Sequence, residues 1–353
     1  MPRAHAADVL LVSLGSTAGL RRADDELQDS LRRAGAHVAI ARVFPPEPAP
    51  TMMLTDLAWA SAARRAAGEI IEQQRSSPAR AVIYSTTTAA LFWHRAGAIR
   101  FDALAAGNRR GRHGLWQRPL ERRRLRQAPL LLPWSDGSLE GSRAAAARDH
   151  TLVLPVPVAP SGAPAEQRDI AAVTYAANPS KKGLDRVLAA WRQLRAGPSA
   201  RGAGDGRGGD GEELVIAGAS AAQLELAGLL TAGEPGVRVL GALTSDDFRA
   251  LLRRARVFVC APRREDYGIV QLEALADGCQ LVTTPAPGPY AALPIARELD
   301  ARLVGDDLAG ALRVALEQPL ADYAARARVA LAPFTREAAD RVVAERLLPR
   351  LLA

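Results

Sequence analysis

Residues 260–284, CAPRREDYGIVQLEALADGCQLVTT, decide how the rest of the chain is read. The string predicts a buried strand ending at Val259 or Cys260, a polar turn, a helix over about 267–276 and a second strand over 280–283. That is half of a parallel α/β unit. Glu265 falls in the turn at the carboxyl end of the first strand and Glu273 inside the helix, with seven residues between them. Gly268 stands at the helix start. A helix start offers unpaired N–H groups and a partial positive charge, so an anion can rest against the amides of Gly268 and Ile269. A carboxylate on either side of it can then hold hydroxyls.

Working outward, the preceding residues repeat the same alternation. Strands are predicted over 170–175, 214–217 and 237–240, with helices over 184–195, 221–230 and 246–254. An earlier series places strands over 8–14, 37–43, 81–84, 98–101, 129–133 and 151–154, with helices over 20–33 and 56–74 and a cap for a further helix within 85–88. Between the two series lies 155–169, PVPVAPSGAPAEQRD, which has linker composition. A chain of 353 residues exceeds what one core usually fills. The expected architecture is therefore α/β, with two facing Rossmann-like doubly wound parallel-sheet domains, over 1–158 and 170–335. Ligands of such sheets bind at the carboxyl ends of the strands. The Gly-rich stretch 197–213 reads as a mobile surface loop.

Of 46 basic residues only two are lysines, and they are adjacent, Lys181 and Lys182, just past a predicted strand end and before Gly183. A lysine ammonium is a compact charge that reaches between phosphate oxygens, whereas guanidinium prefers planar bidentate partners. The pair points to phosphate chemistry; the competing reading is an exposed lysine at a helix start.

The Glu265, Tyr267-Gly268, Glu273-Ala-Leu-Ala-Asp-Gly order, with YAANPSKKGLD at 175–185, resembles the retaining GT-B glycosyltransferases of the group 1 (family 4) type. The resemblance covers 170–350 and, in the first domain, only strand order and glycine placement. It implies the GT-B fold, a nucleoside-diphosphate sugar as donor (UDP-, GDP- or another), no cofactor and no required metal. Lys182 would bind the diphosphate, Glu265 the sugar and Glu273 the ribose, with Leu243 in the loop that meets the nucleobase. Gly19 would approach the diphosphate from the first domain, and Asp102 stands where relatives often carry a histidine near the transferred sugar. The family's usual phosphate-binding arginine is replaced by Ala176, with Arg100 or Arg263 as candidate substitutes. The helix over 336–353 is expected to cross back to the first domain. The implied activity is retaining transfer of a hexose-type sugar to a glycan or lipid-linked acceptor hydroxyl. A non-catalytic homologue and a nucleotide-sugar epimerase of the same fold are the alternatives.

Charge distribution adds a partner. The net charge is +8, and all of it comes from the first half: 22 arginines against 14 acidic residues precede residue 159, while the remainder balances at 24 of each. The densest run is 109–126, RRGRHGLWQRPLERRRLR. It reads either as a solvated helix face or as a basic helix that sets Leu115, Trp116, Leu120 and Leu125 toward an anionic membrane surface. The run lacks the aromatic interleaving of single-strand readers, which disfavours nucleic acid. The longest early apolar run, 9–14, is too short for a membrane span or secretory core, so a cytoplasmic protein is expected, and under the membrane reading of the arginine run one peripheral on the inner face of the membrane. Cys260 and Cys279 fall in buried strands, without metal or disulfide spacing. The absence of G-x-G-x-x-G argues against NAD, and scattered histidines without Asp-x-Asp argue against a metal-dependent transferase.

Overall fold

The computed structural model describes residues 7–44, 46–109, 111–139, 150–163, 165, 167–196 and 212–353. Most of the predicted loop at 197–213 lies outside them. The chain divides into two compact units, Met1–Pro157 with Pro333–Ala353, and Val158–Ala332.

In the first unit β1 (Val9–Ser13), β2 (Val38–Arg42), β3 (Ala81–Tyr84), β4 (Ala98–Phe101) and β5 (Leu131–Pro133) form a parallel sheet in the order β2-β1-β3-β4-β5. In the second, β6 (Ile170–Tyr175), β7 (Leu214–Ala217), β8 (Val237–Gly241), β9 (Ala255–Cys260) and β10 (Gln280–Thr283) form another, in the order β10-β9-β6-β7-β8. Both sheets are covered on two faces, which is why β1, β3 and β7 are buried at every position and read as unbroken apolar runs rather than alternating ones. The predicted strand at 151–154 is reduced to a single bridge between Thr151 and Leu131.

Caps start the helices where short polar side chains precede apolar periodicity. Thr17 accepts a hydrogen bond from Leu20 N and opens Ala18–Arg33, Thr51 does the same for Met52–Gln73, and Thr86 caps the short helix Thr87–Ala90. Neighbouring Ser85 is buried, its hydroxyl accepting from Leu14 N at 3.0 Å.

After Ala332 the chain joins the first unit. Val343, Leu347 and Leu348 pack with Val9, Leu11, Leu31 and Leu152 in one apolar cluster. Asp340 fixes the approach, accepting from Arg33 Nε at 2.7 Å and Ser30 Oγ at 2.5 Å, while Arg336 pairs with Glu26 at 2.9 Å. The predicted linker is itself partly tied down. Ala159 O and Ser161 bond to Arg249 and Asp277, so the second unit begins near Val158 rather than at 170.

Candidate active site

The lysine turn follows β6. Asn178 caps the single turn Pro179–Lys182 by accepting from Lys181 N, and Gly183 ends it in the left-handed region at φ 66°. A Cβ on Gly183 would lie 1.8 Å from Ala261 O, so the turn is pressed against the main chain just past β9. Arg263 N also donates to Lys181 O at 3.0 Å. Because β6 and β9 are neighbours in the sheet, two turns 83 residues apart in sequence meet, and Lys182 Nζ donates to Glu265 Oε2 at 2.8 Å.

The Glu265 turn is held from the other side by the loop after β10. Glu265 N donates to Pro287 O at 3.1 Å, and a Cβ on Gly288 (φ 114°) would lie 2.2 Å from Glu265 O. Gly268, at φ 92°, caps the helix Ile269–Ala276 without a side-chain bond and lies against the Tyr290 ring. The first-turn amides of this helix have no intrahelical acceptor. Glu265 precedes this helix start by three residues, so the Lys182–Glu265 pair and the helix N-terminus belong to one turn, an arrangement suited to an anion with hydroxyls nearby.

Burial is the largest influence on the Glu265 carboxyl and pushes its pKa up, but the charge and hydrogen bond of Lys182 and the amide of Gln271 together outweigh it, leaving the carboxyl below its ordinary range. Behind it, Tyr290 Oη lies 3.0 Å from Thr283 Oγ1 and 3.6 Å from Cys260 Sγ. Burial raises both Tyr290 and Cys260. They are neutral, while the Glu265 carboxyl is ionised.

Glu273 lies five residues after Gly268, about 7.5 Å further along the helix axis. Its carboxylate is buried and faces the buried Arg249 guanidinium at 3.6 Å; Arg249 also donates to Asp277 at 2.5 Å and to Ala159 O at 2.6 Å. Leu243, half-buried, sits in the turn after β8 and before the helix Ser245–Arg254. β6 and β7 separate that strand from β9.

Gly19 and Asp102 lie in the first unit. The helix begins at Ala18, two residues earlier than expected, because Thr17 takes the cap; Gly19 is thus helical, and Gly15 is the glycine of the loop. A Cβ on Gly15 would meet Arg21 Cγ at 2.3 Å. Asp102, at the carboxyl end of β4, accepts from the amide of its neighbour Ala103 at 2.7 Å.

Both candidate substitutes for the missing phosphate arginine are already paired within the protein. Arg100 is 1 % exposed, donates to Ala23 O, faces Asp24 at 3.7 Å and lies over the Trp134 ring. Burial pushes Asp24 up against the pull of Arg100. Arg263 bonds to Asp185 at 2.7 Å and to Ser180 O. Among the described residues no group of three or more His, Cys, Asp or Glu side chains is arranged to hold a metal.

The arginine run does not form one membrane-facing helix. It contains a 3₁₀ turn, Gly111–Gly114, and a helix, Gln117–Gln127. Leu125 belongs to the apolar core, and Trp116 stacks on Phe92. Arg109 and Gln117 bind buried Asp56, and Arg124 covers Trp93. Leu115 is exposed, as are Arg112, Arg122, Arg123 and Arg126. The sole acid in the run, Glu121, is buried; desolvation lifts its carboxyl to about 7 against the hydrogen bonds of Thr87 and Ala105. Among the described residues no helix is long and apolar enough to cross a membrane.

A sequence model of the family described as glycosyl transferases group 1 matches residues 167–322. A search of curated protein sequences finds no match. Among solved structures, the chain is similar to WaaG, a glycosyltransferase involved in lipopolysaccharide biosynthesis, with TM-score 0.64 and 16% identity over 96% of this chain and 99% of that one. It is also similar to an α,α-trehalose-phosphate synthase (UDP-forming) from Burkholderia xenovorans, with TM-score 0.63 and 15% identity over 97% and 99%. For sucrose-phosphate synthase from Thermosynechococcus elongatus the values are 0.60 and 14% over 94% and 96%. Residues 167–322 are therefore a group 1 glycosyltransferase domain, carried on a chain with the GT-B fold.

Proposed function

We propose that this protein is a retaining glycosyltransferase that moves a hexose-type sugar from a nucleoside-diphosphate sugar to an acceptor hydroxyl on a glycan or lipid-linked carrier. The observation that carries the reading is the 2.8 Å contact between Lys182 and Glu265 beside the helix that starts at Gly268. The donor diphosphate lies against the Gly268 and Ile269 amides with the Lys182 ammonium beside it. As the bond from the anomeric carbon to phosphate oxygen breaks, negative charge grows on the departing nucleoside diphosphate, where these donors are already in place. The acceptor oxygen bonds to the anomeric carbon from the same face, and its proton passes to the leaving phosphate. Glu265 orients the sugar hydroxyls. Glu273 binds the ribose, sharing its carboxylate with Arg249, and the main chain at Leu243 meets the base. The protein supplies the compensating charge, so the reading requires no divalent cation.

A thermal-shift panel of UDP-, GDP- and ADP-sugars tests the donor class, because a ligand of the native state raises the melting temperature. At least one nucleotide-sugar at about 100 times its Kd should stabilise the protein by about 2.7 kcal/mol. The similarity to a UDP-forming synthase favours starting with UDP-sugars. A panel without any shift would end the reading.

The second partner is an anionic membrane surface met by Leu115 with Arg112, Arg122, Arg123 and Arg126. With Glu121 buried, the exposed side of this run carries only positive charge. Sedimentation with phosphatidylglycerol vesicles is expected to weaken as salt rises from about 0.05 to 0.5 M, since the Debye length shrinks severalfold. Changing Arg122, Arg123 and Arg126 to Ser should abolish it; Arg124 is left because it packs on Trp93. Equal sedimentation with phosphatidylcholine would rule out the electrostatic contact.

A further inference from the structure

Gln271 is 2 % exposed, on the helix turn that begins at the proposed donor site, between the apolar Val270 and Leu272. Its Nε2 donates to Glu265 Oε2 at 3.1 Å and faces Cys260 Sγ at 3.7 Å, while its Oε1 is buried with no hydrogen-bond partner among the described residues. An ionised carboxylate can only accept, so the amide nitrogen must face Glu265 and the orphaned oxygen must be the other atom. A buried acceptor left unpaired is unfavourable, and an apolar side chain would avoid that cost. What an apolar side chain would not supply is the second donor to Glu265. Lys182 and Gln271 both converge on Oε2, and Oε1 receives no hydrogen bond from the described residues while the side chain keeps a residual exposure of 9%.

We propose that Gln271 is a positioning residue for Glu265: its amide and the Lys182 ammonium clamp Oε2, so that Oε1 is the oxygen presented to the hydroxyl of the donor sugar. The inference rests on the nucleotide-sugar reading for what meets Oε1, but the clamp itself is a property of the free protein. It has a consequence for catalysis. When the ammonium engages the donor phosphate, the amide still holds Oε2, and the carboxylate neither rotates nor takes up a proton. The charged and titratable groups around Glu265 are Lys182 and Lys181 from the lysine turn, the Cys260 thiol from β9 and the Tyr290 hydroxyl from the loop after β10. Arg264 pairs with Asp266, the residue after Glu265.

Two substitutions of similar length test this. Gln271→Met removes the donor and keeps an unbranched side chain; Gln271→Glu replaces it with a carboxyl that donates only when protonated. The first readout is the Glu265 titration in the full chain without ligand, followed by ¹³C NMR of glutamate labelled at the carboxyl carbon and assigned by its loss in Glu265→Gln. Gln271→Met should raise the midpoint by about one pH unit, the size expected for losing one hydrogen bond to a charged group. The second readout is the pH dependence of turnover with whichever of UDP-, GDP- or ADP-glucose the parent consumes. Gln271→Glu should lose activity about tenfold or more at neutral pH, where two carboxylates face each other, and regain it as pH falls and the new carboxyl donates to Oε2. The parent should show no such gain. An unchanged midpoint in Gln271→Met and parallel pH profiles for Gln271→Glu and the parent, with melting temperatures within a few degrees, would reduce Gln271 to packing. If the parent neither binds nor turns over any nucleotide-sugar, the glycosyl-transfer reading fails instead, and the substrate-free titration still decides whether Gln271 controls Glu265.

Discussion

Changing Lys182 to Ala should lower kcat/KM by about 10²–10³-fold, the usual loss when one preorganised donor to developing negative charge is removed. The same change leaves Glu265 buried without its ion-pair partner and held only by Gln271. Its carboxyl pKa then rises. In the parent this carboxyl is depressed, so it contributes stability above its unfolded pKa that is lost as pH falls through the lower folded value. In Lys182→Ala that contribution disappears, and the protein should be less stable than the parent at neutral pH, with a weaker further loss on acidification. Because Lys182 is about a quarter exposed, the effect falls short of that for a fully buried pair, about 1–3 kcal/mol. The double variant Lys182→Ala, Glu265→Gln separates the two roles. It removes the uncompensated charge, so most of the stability should return while turnover stays lost. Activity returning along with stability would mean that the pair only supports the fold.

The second large effect is expected at Gly183. Its φ of 66° alone costs an alanine about 1 kcal/mol, and a Cβ there would lie 1.8 Å from Ala261 O, a distance no side-chain rotation can relieve. The main chain after β6 must move away from that after β9, and Lys182 moves with it. Gly183→Ala should therefore destabilise the protein by more than about 3 kcal/mol. Any folded fraction should lose about 10²-fold in turnover, since ångström-scale misplacement has costs of that order. Gly35→Ala is the control. Its φ of 89° is equally left-handed, but no atom lies within 4 Å of a Cβ there, so only the conformational cost of about 1 kcal/mol applies. Urea denaturation of the two variants measures the difference directly. Equal losses would show that the contact with Ala261 does not fix the lysine turn.

The site was legible where its information is local. The Glu265 and Glu273 spacing, the glycine at a helix start and the lone lysine pair are all written within short strings, because turns and helix starts are set by neighbouring residues. Element boundaries and facing are less legible where a neighbouring residue competes for the same role. Thr17 took the cap and drew Gly19 into the helix, leaving Gly15 in the loop. Leu125 shares a run with arginines, yet its position on the helix Gln117–Gln127 turns it into the core. The roles of Gln271 and Arg249 are not written in the sequence because their meaning lies in what they face. The only signal was a polar residue between apolar neighbours in a buried helix, and a long basic side chain on a face that otherwise buries Phe248, Leu251 and Leu252.

By itself the sequence determined two parallel-sheet series, their strands and helices, and the family of the second, since apolar runs, caps and turn glycines act over a few residues. Only the tertiary structure decided that β6 and β9 lie side by side, so that Lys182 closes on Glu265 while Glu273 turns toward Arg249. Sheet order comes from pairing between segments far apart in the chain, and the direction of a buried charge follows from whichever partner that pairing brings within reach.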